Sequence, residues 1–544
     1  MSIKHSKTVI LHGLSVSPGL ADGTIHLQRG LSDPIDLPDN SLEYSAENEL
    51  NRLDQATTKI TEDLLLLATR VEKEIDAKLA EVFGFHSDIL SDKLLKDELK
   101  KEIVDNLVSA SSAVKSVFLK WENRFLLMES VIAKEKGEDI RDISIRLRNA
   151  LAGVSINPFE SIPSGCVLVA RRILPSDTVF LASRKAKALL LEFGTVGSHA
   201  ALFTRQMGVP CISGIHNILR VIPDRGYALI DTRNSEVTVN PSPERRTAFL
   251  KEKNRYNAHL LESLANASKA AITRSGTRIP VNANVGCHED SDKAMKNGAD
   301  GIGLYRLEQA YIGRTFPPSA DELLAEIHHT LAPYKAKSVC VRLLDVGSDK
   351  PLPFMGFLAE SNPALGRRGI RVMREYPEIL HTQLTALLAL HNSYDLQILV
   401  PMVTLPEDVK FVRDMLAKRC SELNIAEPKL GAMIETPAAA LSARSIAPYV
   451  DFMSFGTNDL TQYVFAADRE NAAVEPYFDD ASEVIFRLIE IVHNDLPTMP
   501  LSVCGELAGR PEHTDRLLQC GISALSVAAP LVAIIKDTIR NISR

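Results

Sequence analysis

Eight short apolar runs recur through the second half of this 544-residue chain, and they constrain its fold more than any other feature. The runs are Ile279–Val285, Gly301–Arg306, Val339–Gly347, Leu396–Val403, Lys429–Thr436, Phe452–Leu460, Leu501–Leu507 and Ala524–Val527. Most are followed by a helix-like segment, for example Ser319–Leu331, Pro406–Glu422 and Pro511–Gln519. Strands that alternate with helices predict a parallel sheet, and eight such units predict a (β/α)₈ barrel over residues 270–544.

Polar residues lie within or just after these apolar runs. They are Arg306, Asp345, Glu435, Asn458, Asp459, Cys504 and Glu506. In a (β/α)₈ barrel the active site lies at the carboxyl ends of the strands, and buried charges without a role are costly. The pattern therefore predicts an active site at this end of the barrel. The alternative is a set of salt bridges that closes the barrel top.

The first part of the chain has a different pattern. Between Pro38 and Pro158 there is no proline and there are only three glycines. A helical apolar stripe runs through Leu50, Leu53, Ala56, Ile60, Leu64, Leu67 and Val71. We predict an all-helical subdomain over residues 41–154, inserted into an α/β subdomain made of residues 1–40 and 155–240. A polar, helix-prone segment over residues 241–269 predicts a helical linker, so the fold class is multidomain α/β.

Composition excludes several classes of protein. The chain has 62 Lys and Arg against 69 Asp and Glu, a net charge of −7, so no broad positive field favours nucleic acid or an anionic membrane. The longest apolar stretch, Ala524–Ile535, is far shorter than the about 20 residues of a membrane span, and the amino end lacks a signal-peptide core. We therefore predict a cytoplasmic protein. Its seven cysteines include no Cys-x-x-Cys pair, so neither a disulfide framework nor a zinc ribbon is indicated.

His199 lies in the glycine-bearing segment Gly194–Arg205. A glycine turn that enters a helix exposes backbone N–H groups to an anion, and neutral imidazole is a good phosphoryl acceptor near pH 7. His199 is therefore a candidate nucleophile. The alternative is an ordinary histidine at the start of a helix.

Several longer motifs carry a resemblance to a known family. Leu174–Thr178 and Gly194–Gly214 resemble the phosphohistidine domain of phosphoenolpyruvate-utilising enzymes. The barrel motifs of the same family are matched by Asp300–Arg306, Val341–Lys350, Asn362–Arg371, Met433–Pro437, Phe455–Tyr463, Ala467–Arg469 and Val503–Glu506. The order of the domains is similar to the enzyme I family of the bacterial phosphoenolpyruvate:sugar phosphotransferase system, and Asp139–Ile143 matches that family as well.

The resemblance implies a phosphotransferase. His199 would take the phosphoryl group of phosphoenolpyruvate, pyruvate would leave, and the group would pass to the phosphocarrier protein HPr. Cys504 would protonate the pyruvate enolate on carbon. The resemblance also implies a homodimer formed through the barrel.

The substrate that the resemblance implies accounts for the remaining candidate residues of the barrel site. Phosphoenolpyruvate carries a carboxylate and a phosphate, which arginines bind through bidentate contacts; Arg306, Arg342, Arg368 and Arg469 are the candidates. Mg²⁺ prefers oxygen ligands and keeps waters, so Glu435 and Asp459 suffice as protein ligands. Asn458, beside Asp459, can donate its amide to the phosphate. The alternatives are a solvated helix face for Arg368 and its neighbours Arg367 and Arg371, and helix capping for Asn458, Asp459 or Thr461.

The chain departs from the family pattern at a few positions. Gly197 stands before Ser198 where the family usually has threonine, and Leu307 and Gln309 replace a threonine and an aromatic residue of the barrel. Two rival functions remain open. A pyruvate phosphate dikinase or phosphoenolpyruvate synthase would need an ATP-binding domain ahead of the histidine domain, for which the sequence has no room and no P-loop. A non-catalytic phosphoenolpyruvate sensor would have no need of Cys504.

Overall fold

The computed structural model describes most of the chain and divides it into two compact units, residues 1–256 and 257–544. The described residues are 8–28, 45–74, 77–126, 131–153, 162–173, 177, 181, 184–193, 204, 208–311, 314, 316–347, 352, 354–355, 360–468, 474 and 477–543. None of the helices in these ranges combines the length and the apolar character that a membrane crossing requires.

An eight-stranded mixed sheet forms one part of the first unit. Its strands are β1 (Val9–His12), β2 (Leu14–Ser17), β3 (Leu20–Gln28), β4 (Val167–Ala170), β5 (Ala188–Leu191), β6 (Cys211–Ser213), β7 (Tyr227–Asp231) and β8 (Glu236–Val239). They lie in the order β1-β8-β7-β3-β4-β5-β6-β2, and β3 to β6 are parallel. Strands β4 and β5 are buried along their whole length because a separate apolar core packs on each face of the sheet.

Among the described residues, five helices follow β3 along the chain and precede β4. They are α1 (Ala46–Glu74), α2 (Ala77–Ser91), α3 (Lys93–Asn106), α4 (Ala110–Leu126) and α5 (Val131–Leu151). Of the predicted stripe on α1, Leu50 and Leu67 pack against their shared core and Leu53, Ala56, Ile60 and Leu64 are buried in it, while the Val71 side chain lies outside the described part of the chain. After the sheet come a short helix, α6 (Ile218–Val221), and the long helix α7 (Pro243–Ala265). The all-helical insert and the helical linker of the predicted fold class are confirmed.

The second unit contains a closed barrel of eight parallel strands, as predicted. The strands are β9 (Val281–Val285), β10 (Ile302–Arg306), β11 (Ser338–Arg342), β12 (Asp395–Val400), β13 (Lys429–Ile434), β14 (Phe452–Phe455), β15 (Leu501–Val503) and β16 (Ala524–Ala528). Strand β16 pairs with β9 and closes the barrel. The helices are α8 (His288–Lys296), α9 (Ala320–Leu331), α10 (Ile370–Glu375), α11 (Pro377–Leu388), α12 (Pro406–Leu423), α13 (Pro437–Leu441), α14 (Ala443–Ile446), α15 (Thr457–Phe465), α16 (Glu483–Asp495), α17 (Pro511–Gln519) and α18 (Val532–Asn541).

Five apolar runs of the sequence extend past the strands that they predict, three of them by four or five residues. Strand β11 ends at Arg342, β14 at Phe455 and β15 at Val503, several residues before their runs end. The remainder of the β14 run lies in α15, which starts directly after Gly456. Apolar residues continue past the strand because the first turn of this helix packs against the barrel, and Leu460 is fully buried there.

A buried lysine joins α18 to the loop before β10. The Lys536 side chain is 1% exposed, and its Nζ donates to the Gly298 carbonyl at 2.7 Å and to Asp300 Oδ1 at 3.0 Å. We expect Lys536→Met to lower the free energy of unfolding by about 3 kcal/mol, because it leaves a partly buried carboxylate without its cation. Urea unfolding followed by circular dichroism measures the loss.

The matched control for this prediction is Lys410→Met. Lys410 pairs with Asp414 at 2.6 Å, but the two side chains are 51% and 64% exposed. Exposed pairs contribute less than about 1 kcal/mol, so this variant is expected to unfold near the wild-type midpoint. Equal losses in the two variants would contradict the role given to Lys536.

Candidate active site

Two buried arginines and three carboxylates form an ion-pair cluster at the carboxyl ends of the barrel strands. Arg342, the last residue of β11, bonds Glu308 Oε1 through Nη2 at 2.8 Å and Asp345 Oδ2 through Nη1 at 3.1 Å. Arg368, which precedes α10, bonds Asp345 Oδ2 at 2.9 Å and Asp459 Oδ1 at 3.1 Å. The shared carboxylate of Asp345 thus joins the two guanidinium groups.

Further hydrogen bonds fix this cluster. The Asp345 backbone N–H donates to Glu308 Oε1 at 2.8 Å, and Arg368 Nη1 donates to the Tyr463 hydroxyl oxygen at 3.2 Å. Arg368 is only 3% exposed. Burial lowers the pKa of this guanidinium, but the charges of Asp345 and Asp459 outweigh burial and raise it overall. Both arginines therefore stay charged, which an anion-binding site requires, and the solvated-helix alternative for Arg368 is wrong.

Glu435 is a buried carboxylate directly after β13. Its Oε1 accepts a hydrogen bond from the Met402 backbone N–H, and the residue is 1% exposed. Burial, followed by the negative charges of Asp345 and Asp459, raises the pKa of Glu435 to about 8. With Glu435 the cluster holds four carboxylates and two guanidinium groups, so two negative charges are in excess when all of them ionise.

This excess charge fits a divalent cation. Glu435 and Asp459 both offer oxygen ligands, and a cation beside them would offset the negative charge of Asp459 that helps to raise the pKa of Glu435. Within the described ranges no group of three or more His, Cys, Asp or Glu side chains is arranged as a metal centre. A pair of carboxylates that leaves the remaining positions to water and substrate oxygens is the arrangement that Mg²⁺ tolerates.

Cys504 follows β15 and faces the barrel interior. It is 3% exposed, its N–H donates to the Phe455 carbonyl at 3.0 Å, and its Sγ lies 3.5 Å from the same oxygen. Burial raises the pKa of the Cys504 thiol, although the Ser454 hydroxyl and the positive charges of Arg342 and Arg306 act in the opposite direction. The thiol therefore holds its proton at neutral pH, as a proton donor must.

Asn458 lies in the first turn of α15, next to the loop that carries Cys504. Its Oδ1 accepts from the Glu506 backbone N–H at 2.9 Å, which orients its Nδ2 amide. Gly505 allows this close packing, since a Cβ atom there would lie 1.9 Å from Thr457 Oγ1. The start of α15 and the Cys504 loop are thus held together.

Arg306 is the last residue of β10 and is in register with Arg342 on β11. Unlike Arg342 it is exposed, so it lies at the barrel mouth, while its charge still lowers the pKa of Cys504. The structure therefore brings together Arg306, Arg342, Arg368, Glu435, Asn458, Asp459 and Cys504 among the predicted site residues. His199 and Arg469 lie outside the described residues.

The described residues stop at Phe193, just before the segment that carries His199, and continue after it. Strand β5 ends at Leu191. The guanidinium groups of Arg171 and Arg172 lie over the Phe193 ring, at 5.5 and 5.7 Å from its centroid. Parallel strands place their carboxyl ends at one edge of a sheet, so these arginines after β4 lie beside Phe193, which follows β5.

Sequence reasoning missed several residues of the barrel site. Glu308 and Tyr463 contact the buried arginines, but no role was predicted for either, and Asp345 was placed only at the barrel top. Asn284 was also missed; its Nδ2 donates to the Cys504 carbonyl at 3.0 Å. Each of the three residues had a local signal: Glu308 lies two residues after Arg306, Tyr463 ends the motif Phe455–Tyr463, and Asn284 is a polar residue within an apolar run.

Fold and site together define a barrel enzyme whose site holds charged arginines beside a protonated thiol, as an anionic substrate requires. Three family models match successive parts of the chain: the N-terminal domain of PEP-utilising enzymes over residues 12–136, their mobile domain over 162–240 and their PEP-binding domain over 262–544. The chain belongs to the family of phosphoenolpyruvate-utilising enzymes, as its motifs predicted.

Relatives match nearly the whole chain. A phosphoenolpyruvate-protein phosphotransferase of Geobacillus stearothermophilus is 31% identical over 98% of this chain and 93% of its own length. Proteins of the same name from Bacillus subtilis and Haloferax volcanii are 31% and 32% identical, over 98% and 97% of this chain and 95% and 94% of their own lengths.

Proposed function

We propose that this chain is a phosphoenolpyruvate-protein phosphotransferase that phosphorylates itself on His199, releases pyruvate and passes the phosphoryl group to the phosphocarrier protein HPr. The observation that carries the proposal is the buried arginine–carboxylate cluster beside Cys504, whose thiol stays protonated. Full-length similarity to phosphotransferases of that name supports the same reaction.

Substrate binding uses the charges at the barrel mouth. Arg306, Arg342, Arg368 and Arg469 would neutralise the phosphate and carboxylate of phosphoenolpyruvate, and the oriented amide of Asn458 would donate to a phosphoryl oxygen. Glu435 and Asp459 would hold Mg²⁺. When bound, this ion supplies positive charge to the phosphoryl oxygens, as phosphoryl transfer requires.

The reaction then needs a nucleophile and an acid. The His199 Nε2 lone pair forms a bond to phosphorus while the bond from phosphorus to the enol oxygen breaks, leaving the enolate of pyruvate. The Cys504 thiol gives its proton to the terminal carbon of the enolate, and solvent reprotonates the thiolate after pyruvate leaves. A non-catalytic sensor would have no use for this acid.

The proposal is tested with phosphoenolpyruvate labelled in its phosphoryl group, supplied with Mg²⁺ and followed by a chase with HPr. We expect acid-labile, alkali-stable label on the wild type, release of pyruvate, and discharge of the label to HPr. His199→Ala should acquire no label. His216→Ala, which changes an exposed histidine of the same unit, is the matched control and should label normally.

Two results would overturn this assignment. Label that persists on His199→Ala would place the phosphoryl group elsewhere. Bound phosphoenolpyruvate with neither label nor pyruvate would favour the sensor function. Three further proposals have their own tests. Chelation and readdition of Mg²⁺ test the metal dependence, sedimentation of the purified protein tests for a homodimer, and cell fractionation tests the cytoplasmic location.

A further inference from the structure

We propose that Asn284 is a positioning residue for the proton transfer from Cys504 to the pyruvate enolate, and this inference rests on the proposed function. Asn284 lies on β9, next to β16 and two strands from β15, after which Cys504 follows. Its side-chain amide donates to the Cys504 carbonyl oxygen at 3.0 Å, across 220 residues of chain. This bond holds the Cys504 backbone from β9, while the bond from the Cys504 N–H to Phe455 holds it from β14.

The Asn284 side chain is itself held in one orientation. The Ser526 hydroxyl, on β16, donates to Asn284 Oδ1 at 2.7 Å, and Ser526 is 2% exposed. Because the Cys504 carbonyl can only accept, Nδ2 is the atom that faces Cys504, and Oδ1 faces the Ser526 hydroxyl. The serine bond then holds the amide in this orientation.

The space for this serine depends on Gly303. A Cβ atom at position 303, on β10, would lie 2.5 Å from Ser526 Oγ and 2.6 Å from Ser526 Cβ. Glycine at 303 therefore leaves room for the hydroxyl that orients Asn284. A chain of contacts runs from β10 through β16 and β9 to the loop after β15.

On the other side Cys504 is held by β14. Its N–H donates to the Phe455 carbonyl, so the peptide groups on both sides of the Cys504 α-carbon are fixed, one to β14 and one to Asn284. Proton transfer to carbon needs the thiol hydrogen aimed at one atom, and small errors in position slow such steps strongly. Asn284 thereby sets the orientation of the Cys504 thiol without contacting the substrate.

The test measures two steps separately in the full-length protein. Rapid-quench reactions with labelled phosphoenolpyruvate and Mg²⁺ follow label on His199 and formation of pyruvate in the same samples. In the wild type we expect the two to appear together. In Asn284→Ala and in the isosteric Asn284→Asp, label should precede pyruvate, and pyruvate formation should slow about tenfold. KM for phosphoenolpyruvate should stay within about twofold of the wild-type value.

Asn297→Ala is the matched control. The Asn297 amide makes the same kind of bond, to the Ala529 carbonyl at 2.8 Å, and neither residue takes part in the contacts that hold Cys504. Both alanine variants lose one hydrogen bond of the same type, so their melting temperatures should fall by similar amounts. Only the Asn284 variants should show a lag between label and pyruvate.

The outcomes separate this inference from the proposed function. If label and pyruvate slow together in the Asn284 variants, or if these variants match Asn297→Ala, the positioning role is wrong. Cys504→Ala must show the largest lag; if it shows none, the thiol is not the proton donor and the proposed function fails at that step. A wild type that takes no label would refute the proposed function itself.

Discussion

Replacing Arg368 with methionine is expected to lower phosphoenolpyruvate turnover by at least about a hundredfold, because the buried guanidinium is the centre of the anion-binding cluster. The same change should lower the free energy of unfolding by about 3–5 kcal/mol, since the carboxylates of Asp345 and Asp459 would remain buried without it. Steady-state pyruvate release measures the first effect, and urea unfolding measures the second.

Two further variants sharpen this prediction. Arg368→Lys keeps the positive charge but cannot reproduce the bonds that reach both carboxylates, so it should fall between the wild type and the methionine variant. Arg413→Met is the matched control. Arg413 bonds Asp451 at 2.7 Å and Glu427 at 3.3 Å, but these carboxylates are 43% and 39% exposed, so turnover should not change. Wild-type turnover in Arg368→Met would exclude Arg368 from substrate binding.

Glu435→Gln is expected to lower turnover without lowering the thermal stability of the protein. Turnover should fall by about a hundredfold or more, because the neutral amide is a poor ligand for Mg²⁺ and leaves the proposed ion one carboxylate. Thermal stability without metal should equal or exceed that of the wild type. Glutamine keeps the oxygen that accepts from Met402 and removes a carboxyl group whose ionisation burial and its neighbours Asp345 and Asp459 disfavour.

The measurements are pyruvate release over a range of Mg²⁺ concentrations and calorimetric melting in the presence of a chelator. Added Mg²⁺ should raise the melting temperature of the wild type more than that of Glu435→Gln. Glu427→Gln, at an exposed glutamate of the same barrel, is the control and should leave both measurements unchanged. A Glu435→Gln protein that melts well below the wild type would show that this carboxylate stabilises the fold and would contradict the prediction.

The arginine cluster shows which parts of the site can be predicted from the sequence and which cannot. Arg342 and Asp459 lie within apolar runs, so their places near the carboxyl ends of barrel strands could be predicted. Arg368 was harder, because a solvated helix face was an open alternative. The structure decides the point: Arg368 lies 23 residues from Asp345 and 91 from Asp459, and it bonds both.

The amino-acid sequence by itself determined which segments are helices or strands and in which order they come. Hydrophobic periodicity and the positions of proline and glycine are local properties, so they can be read without the tertiary structure. The sequence also determined the family, through motifs such as Gly194–Gly214 and Phe455–Tyr463. Only the tertiary structure decided which charged groups pair and which atom holds Cys504. Those contacts depend on the register and closure of eight strands, which bring together residues as distant in sequence as Asn284 and Cys504.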